Sequence, residues 1–297
     1  MSQSLTIATW NVNSIKQRVD AVVGWLADSS GKAGGVDVLL MQEIKCEEAA
    51  FPHQPFKEAG YEVLVCGQKA YNGVAIASRL AMEERCRGLP ELPDAMGGNE
   101  SESEAAADTQ ARYLEVEVAG MIVACLYAPN GNPLYDDADG EGKQPAREGY
   151  SGKFGYKLRW WDRLVRRAEG LNRLGVPVVL GGDFNVIPEG RDCYDWEAWR
   201  GDALGHPETL RRWRRLVYLG YADGWRGVHP RGVGYSFWDY QGGAWQKDLG
   251  LRIDHLLVNA EAGDLMREVA IDRGPRGEAK ASDHTPVVGG FNINLPA

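Results

Sequence analysis

No apolar run in this chain of 297 residues approaches the length of about 18 that a membrane-spanning helix needs. The first residues, MSQSLTIATWNVNSIKQ, lack a cationic n-region and pass straight into a strand pattern, so no signal peptide is expected. Cysteine is scarce and scattered: Cys46, Cys66, Cys86, Cys125 and Cys193 form no C-x-x-C pair. That pattern excludes a disulfide framework and a thiolate zinc site, and it fits a reducing cytoplasm. Of the five histidines, the four other than His284 (His53, His206, His229, His255) show no zinc-like spacing with one another or with cysteine. Neither G-x-x-x-x-G-K-[ST] nor G-x-S-x-G occurs, which removes P-loop and hydrolase-elbow chemistry.

Positive charge is also short, with a net charge of −9 that argues at first against a polyanionic partner. The distribution weakens that argument. Residues 91–108 hold six acidic residues and no Lys or Arg, and residues 135–148 hold five acidic against two basic, which accounts for the whole excess. The rest of the chain balances at 31 acidic and 31 basic residues. Two arginine clusters stand out within it: Arg159, Arg163, Arg166, Arg167 and then Arg211, Arg212, Arg214, Arg215. They read equally as solvated helix faces or as a phosphate-binding ridge.

What is abundant is short β-rich runs that end in Gly, Pro, Asn or Asp. They cover 5–12, 36–43, 61–65, 73–78, 111–118, 121–129, 176–185, 235–240, 251–259, 266–273 and 284–293. Helical periodicity fills about 14–28, 156–174 and 207–219, the last opening on Pro207 where an N1 proline is favoured. Two stretches, 93–108 and 130–152, read as acidic or Gly/Asp/Pro-rich surface insertions, expected to face away from the functional site or to act as mobile gates. No linker divides the chain. The expectation is one α/β domain over 1–297, built on two packed sheets.

Polar residues gather at the ends of these strands. Asn11 follows TIATW, Glu43 follows VLLMQ, Asp183 and Asn185 follow VVLGG, and Asp283 and His284 precede TPVVGG. Carboxylates at strand ends sit at a sheet rim, where sites are commonly built. In GGDFN, Asp183 and Asn185 could activate and hold a water, ligate a hard metal, or merely make an Asx turn. In SDHTPV, a carboxylate beside His284 could fix its tautomer for work on a phosphate, or Ser and Asp could cap a turn. Asp254 lies inside an apolar strand, where a lone charge is costly. Carboxylates, carboxamides, one His and Tyr127 form a kit suited to metal-assisted phosphoester hydrolysis.

The motifs TWNVNSIKQR (9–18), LLMQEIK (39–45), YNGVAIAS (71–78), LYAPNGN (126–132), GGDFNV (181–186), YSFWDY (235–240), LRIDHLL (251–257) and SDHTPV (282–287) span nearly the whole chain. In that order they resemble the exonuclease III family of abasic-site endonucleases, within the endonuclease/exonuclease/phosphatase superfamily. The resemblance implies a four-layer α/β/β/α sandwich of two mixed sheets, like deoxyribonuclease I. It implies Mg²⁺, with Mn²⁺ able to substitute, and a monomer acting on double-stranded DNA with abasic sites or blocked 3′ ends. The expected activities are incision 5′ to the lesion, 3′→5′ exonuclease action and 3′-end trimming.

Roles follow by the same resemblance. Glu43 would be the principal metal ligand with Asn11 near the metal, and Asp183, Asn185, Asp283 and His284 complete the metal-site candidates. Asp183 would activate the water and Asn185 orient it. His284, held by Asp283, would contact the scissile phosphate, with Asp254 supporting the His or the charge balance. Tyr127 would bond that phosphate or help the leaving group. Phe237, Trp238 and Leu251 would surround the pocket for a base-less sugar, and Asn130 would lie near the backbone phosphate. Another phosphoesterase of the superfamily, a nonspecific deoxyribonuclease and a non-catalytic DNA-binding relative are the competing readings.

Overall fold

The computed structural model describes residues 3–28, 35–91, 108–135, 150 and 152–293. The elements, in chain order, are β1 (Gln3–Asn11), α1 (Ile15–Ala27), β2 (Val38–Gln42), α2 (His53–Glu58), β3 (Glu62–Cys66), β4 (Val74–Ser78), β5 (Met82–Arg87), β6 (Tyr113–Val118) and β7 (Met121–Tyr127). Then come α3 (Gly152–Asn172), β8 (Val178–Asp183), α4 (Trp196–Trp199), α5 (Pro207–Tyr218), β9 (Ala222–Asp223), α6 (Gly224–Val228), β10 (Asp254–Val258), α7 (Ala260–Leu265), β11 (Met266–Ile271) and β12 (Val287–Ile293). The strands form two six-stranded sheets, in the orders β11-β12-β1-β2-β4-β3 and β5-β6-β7-β8-β10-β9. Both are mixed, with β1 and β2 parallel in one and β7 and β8 parallel in the other. A parallel pair needs a crossover, and α1 and α3 supply them.

Period-2 alternation sorts the side chains into layers. Leu5, Ile7, Val38, Leu40, Val123, Cys125, Val179, Leu256 and Val258 point between the sheets. Their neighbours Ala8, Trp10, Leu39 and Met41 point outward under Val22, Leu26 and Phe56 of α1 and α2. On the far side Ile122, Ala124, Val178 and Leu180 meet Trp160, Trp161, Leu164, Trp213 and Leu216 of α3 and α5. The result is the expected α/β/β/α order. Gly181 sits where the sheets approach closely, since a Cβ there would meet Leu40 at 2.5 Å and Leu256 at 2.9 Å.

Some boundaries differ from the sequence pattern. Segment 235–240 is no strand: Phe237 makes isolated bridges to Leu251 and His284 and nothing longer. β5, with the sequence MEERCR, has no apolar alternation, because it is an edge strand whose side chains are largely exposed. Helix α5 opens on Pro207, with the His206 side chain accepting from the Glu208 N–H. All five cysteines are free. Among the described residues no helix is long and apolar enough to cross a membrane. The expected insertions at 93–108 and 130–152 lie mostly outside the described residues, as does the question of which way they face.

Candidate active site and metal centre

The alternation that builds the inter-sheet core also delivers the polar residues. Inward positions on β1 run Leu5, Ile7, Thr9, Asn11, on β7 Val123, Cys125, Tyr127, and on β8 Val179, Gly181, Asp183. Tyr127, Asp183 and Asp254 are register partners across β7, β8 and β10, so they share that face. In the other sheet Asn11 is level with Gln42. Thr9, Gln42 and Cys125 close the floor with mutual hydrogen bonds. Beyond the strand ends, Ser14 N–H bonds Glu43 O at 2.7 Å and Val12 N–H bonds Gln42 O at 3.0 Å. Glu43 (φ 50°) and Asn185 (φ 47°) both take the left-handed conformation. Such strain at a non-glycine residue commonly accompanies a functional constraint.

One amide ties the two sheets together. Asn11 Nδ2 donates to Glu43 Oε1 at 2.9 Å and to Asp183 Oδ2 at 3.0 Å. Glu43 also pairs with Lys45 at 2.9 Å. Asp183 Oδ1 accepts the Asn185 N–H at 2.9 Å, so the Asx turn expected as the ordinary reading is present and serves the site. Asn185 Nδ2 bonds Ala128 O at 2.8 Å, and its Oδ1 accepts from Asn130 Nδ2 at 3.1 Å. His284 Nε2 lies 3.8 Å from Asp183 Oδ2.

The carboxylate that holds His284 is Asp254, one of the two roles expected of it, and the expectation that Asp283 holds the ring is corrected. His284 Nδ1 meets Asp254 Oδ2 at 2.8 Å, and Ser236 Oγ donates to the same oxygen at 2.7 Å. Asp283, the neighbour in sequence, instead accepts from Asn13 Nδ2 at 3.0 Å and from Ser282 Oγ. Adjacent residues on an extended segment point opposite ways, so the next carboxylate along the chain cannot face the ring.

Burial and charge then set the protonation states. Burial alone would lower the His284 pKa, but the charge and hydrogen bond of Asp254 overcome it and raise it to about 10. Burial pushes the Asp183 carboxyl above its usual range, against the opposing pull of the His284 cation. Burial likewise acts to raise Glu43, yet Lys45 and Asn11 hold it below its ordinary value. Burial, then the charges of Glu43 and Asp183, push the Tyr127 hydroxyl well up, so it stays a donor.

Donor atoms of Glu43, Asp183 and His284 lie within 4.8 Å of one another. Two carboxylates this close call for a cation, and their oxygens suit a hard divalent ion that keeps several waters. The imidazole is a poorer fit: with Nδ1 on Asp254 and its pKa raised, it is a cation and a donor itself.

A family model described as the Endonuclease/Exonuclease/phosphatase family matches residues 8–284. The chain belongs to this family. It is similar to exodeoxyribonuclease III of Haemophilus influenzae, 28% identical over 262 residues that cover 84% of this chain and 88% of that protein. It also resembles the solved AP endonuclease of Archaeoglobus fulgidus, with 32% identity, TM-score 0.80, and 97% and 100% of the two chains covered. A 3′ phosphatase from Neisseria, bound to a product DNA hairpin, matches at 34% identity and TM-score 0.81 over 97% and 99% of the chains.

Family membership makes the protein a phosphoester hydrolase, and the remaining residues sort accordingly. Phe237, half-buried, packs edge-on against the His284 ring at 4.9 Å between centroids. Leu251 bridges to Phe237 and is 1% exposed, so it supports that ring from beneath. Trp238 is 0% exposed, turned away onto Trp245 and Arg273. The expectation that Trp238 walls a sugar pocket is therefore corrected: it braces its loop. Asn130 is exposed beside Asn185.

Lys45, Asn13, Ser236 and Lys157 were not foreseen. Lys157 is 0% exposed, and its Nζ donates to Asn130 O at 2.9 Å, Asn185 O at 2.7 Å and Ala203 O at 3.0 Å. Burial draws its pKa down, while three carbonyls, one for each N–H of an ammonium, favour the charged form. Three loops thus converge on one amine, and two of them carry Asn130 and Asn185. Arg112 covers the Tyr127 ring at 4.6 Å.

Proposed function

We propose that the protein is a DNA-repair nuclease, a divalent-metal phosphodiesterase that incises 5′ to abasic sites and trims 3′ ends. The observation that carries the reading is the buried row Asp254, His284, Asp183, with its last member facing Glu43 and Asn11. In this reading His284 would be a fixed cation, Asp183 the base and Glu43 a hard-metal ligand around one point. The names of the relatives, an exodeoxyribonuclease III, an AP endonuclease and a 3′ phosphatase, support a DNA substrate. The preferred cation is Mg²⁺, with Mn²⁺ able to replace it.

In-line attack on a phosphodiester needs a positioned water, positive charge on the equatorial oxygens and help for the leaving oxygen. Glu43 and Asp183, with the carboxamide of Asn11 nearby, would hold a divalent ion, and such an ion would supply Lewis-acid charge to the substrate phosphate. Asp183 takes the proton of the attacking water, and the neighbouring His284 cation opposes the burial that favours its protonated form. Asn185, clamped by Ala128 and Asn130, keeps one N–H beyond its bond to Ala128 and orients the water. His284 donates from Nε2 to a nonbridging oxygen, with Asp254 fixing the ring. The Tyr127 hydroxyl, kept protonated, donates to the phosphate or the departing oxygen. Phe237 offers an apolar wall for a sugar without a base, a group that leaves the duplex cheaply.

A panel of phosphoesters tests the substrate class. An abasic duplex, a duplex with a 3′-phosphate end, an undamaged duplex and inositol phosphates are compared at one enzyme concentration. The reading predicts the first two as the best substrates. Turnover confined to inositol phosphates would contradict it.

A further inference from the structure

We propose that the outer face of α3 and α5 is a second DNA-contact surface, one that holds an unpaired strand of the substrate. The inference rests on the DNA reading above and concerns residues outside the active site. The two arginine clusters lie on these helices, and the structure divides them. Arg163 turns inward to Glu91 and Asp108, and Arg167 to Glu115, so these two are structural.

Arg166, Arg211, Arg212 and Arg215 instead line one cavity of about 560 Å³, together with Asp162 and Glu169. Asp162 bonds Arg212 and Arg215 at 2.8 Å each, which holds both guanidiniums in place. Arg212 is further fixed by Glu208 and by Leu158 O. Glu169 is taken by Arg173 at 2.6 Å. Among the described residues Arg166 and Arg214 have no hydrogen-bond or ion-pair partner, and Arg211 has only Glu208 at 3.8 Å. On a chain of net charge −9, this is a local excess of forked donors suited to phosphates.

An aromatic ring completes the pattern. Arg211, Arg214, Arg215 and Tyr218 follow the i, i+3, i+4, i+7 repeat and share one face of α5. Tyr218 is 83% exposed. Guanidiniums interleaved with a bare aromatic face match the way single strands are held, by phosphate contact and base stacking. A single strand offers base faces along its length, whereas a duplex offers them only at its ends or where a step is opened, so an exposed ring among guanidiniums favours a single strand over duplex. Removal of a 3′ end from a duplex leaves such a strand. Helix α3 links the two regions: Lys157 sits under the active-site loops, and Arg166 is about 14 Å further along the helix axis.

Binding of a labelled oligothymidylate in EDTA, across a salt series, tests the surface. The triple variant Arg166→Ala, Arg211→Ala, Arg214→Ala should bind at least tenfold more weakly. Its salt slope should be shallower by about 2, at roughly 0.7 per phosphate contact. Tyr218→Ala should weaken binding roughly tenfold without changing the slope. The matching Arg→Lys triple should retain the wild-type slope. Turnover of a short abasic duplex should be unchanged in all of them. Unaltered affinity and slope in both alanine variants would overturn the proposal, as would an equal loss of short-duplex turnover. Preferential displacement by polyglutamate would assign the surface to an acidic peptide and overturn it too. If the wild type neither binds nor cuts DNA, it is the functional reading that fails. If the wild type cuts DNA and the variants bind like it, only this surface fails.

Discussion

Asp254 accepts the Nδ1 proton of His284 at 2.8 Å across 30 residues of sequence. The contact decides the charge of the ring, because burial alone would leave the imidazole neutral and Asp254 instead raises it to about 10. In Asp254→Asn the largest raising influence is gone and only the charges of Asp183 and Asp283 oppose burial, so the His284 pKa falls. The ring then loses its proton at lower pH than in the wild type. The alkaline limb of the kcat profile should move down in pH, and kcat at pH 8 should fall roughly 10²-fold. A pH–rate profile of both proteins checks this, and overlapping profiles would remove His284 from catalysis.

Asp183→Asn keeps the shape of the residue and its bond from the Asn185 N–H while removing the base. The rate should fall by roughly 10³- to 10⁴-fold with DNA binding retained. Burial pushes the Asp183 carboxyl up in the metal-free protein, and a divalent ion held by Asp183 and Glu43 would oppose that push. Near-normal turnover by the variant would assign the base elsewhere.

Glu43→Ala removes the more open of the two facing carboxylates. The metal concentration for half-maximal activity should rise at least tenfold, read from a Mg²⁺ titration at saturating substrate. A titration that superimposes on the wild type would move the ligand to another residue.

Lys157→Met leaves the carbonyls of Asn130 and Asn185 without their donor, while Ala203 O keeps the Thr209 hydroxyl. Each orphaned group costs about 1–3 kcal/mol, so urea denaturation should show a loss of about 2–6 kcal/mol. Turnover by the fraction that remains folded should fall as well, because Asn130 and Asn185 lose their shared anchor. Unchanged stability would mean that the amine is not the tie between these loops.

The strand pattern made most of the fold legible, because short, largely apolar runs such as LTIATW and MIVACLY are what a sheet packed on both faces demands. It failed at β5, where a charged edge strand carries no apolar signal, and at 235–240, where aromatic residues belong to a loop that brings Phe237 against His284. The candidate site was legible wherever a residue closes a strand, as Asn11, Tyr127 and Asp183 do. It was not legible where partners meet only in space. Asp283 is next to His284 in the chain and faces Asn13, while Asp254 holds the ring from another sheet. Lys157 looks like any lysine of an amphipathic helix until three loops fold over it.

The most direct test of the central claim is cleavage of an end-labelled duplex carrying one abasic-site analogue, with Mg²⁺ and with EDTA, beside an undamaged duplex. The account predicts Mg²⁺-dependent incision on the 5′ side of the lesion, abolished by EDTA and far slower on the undamaged strand. Incision that persists in EDTA, or an intact abasic strand under conditions where another phosphoester is hydrolysed, would contradict it.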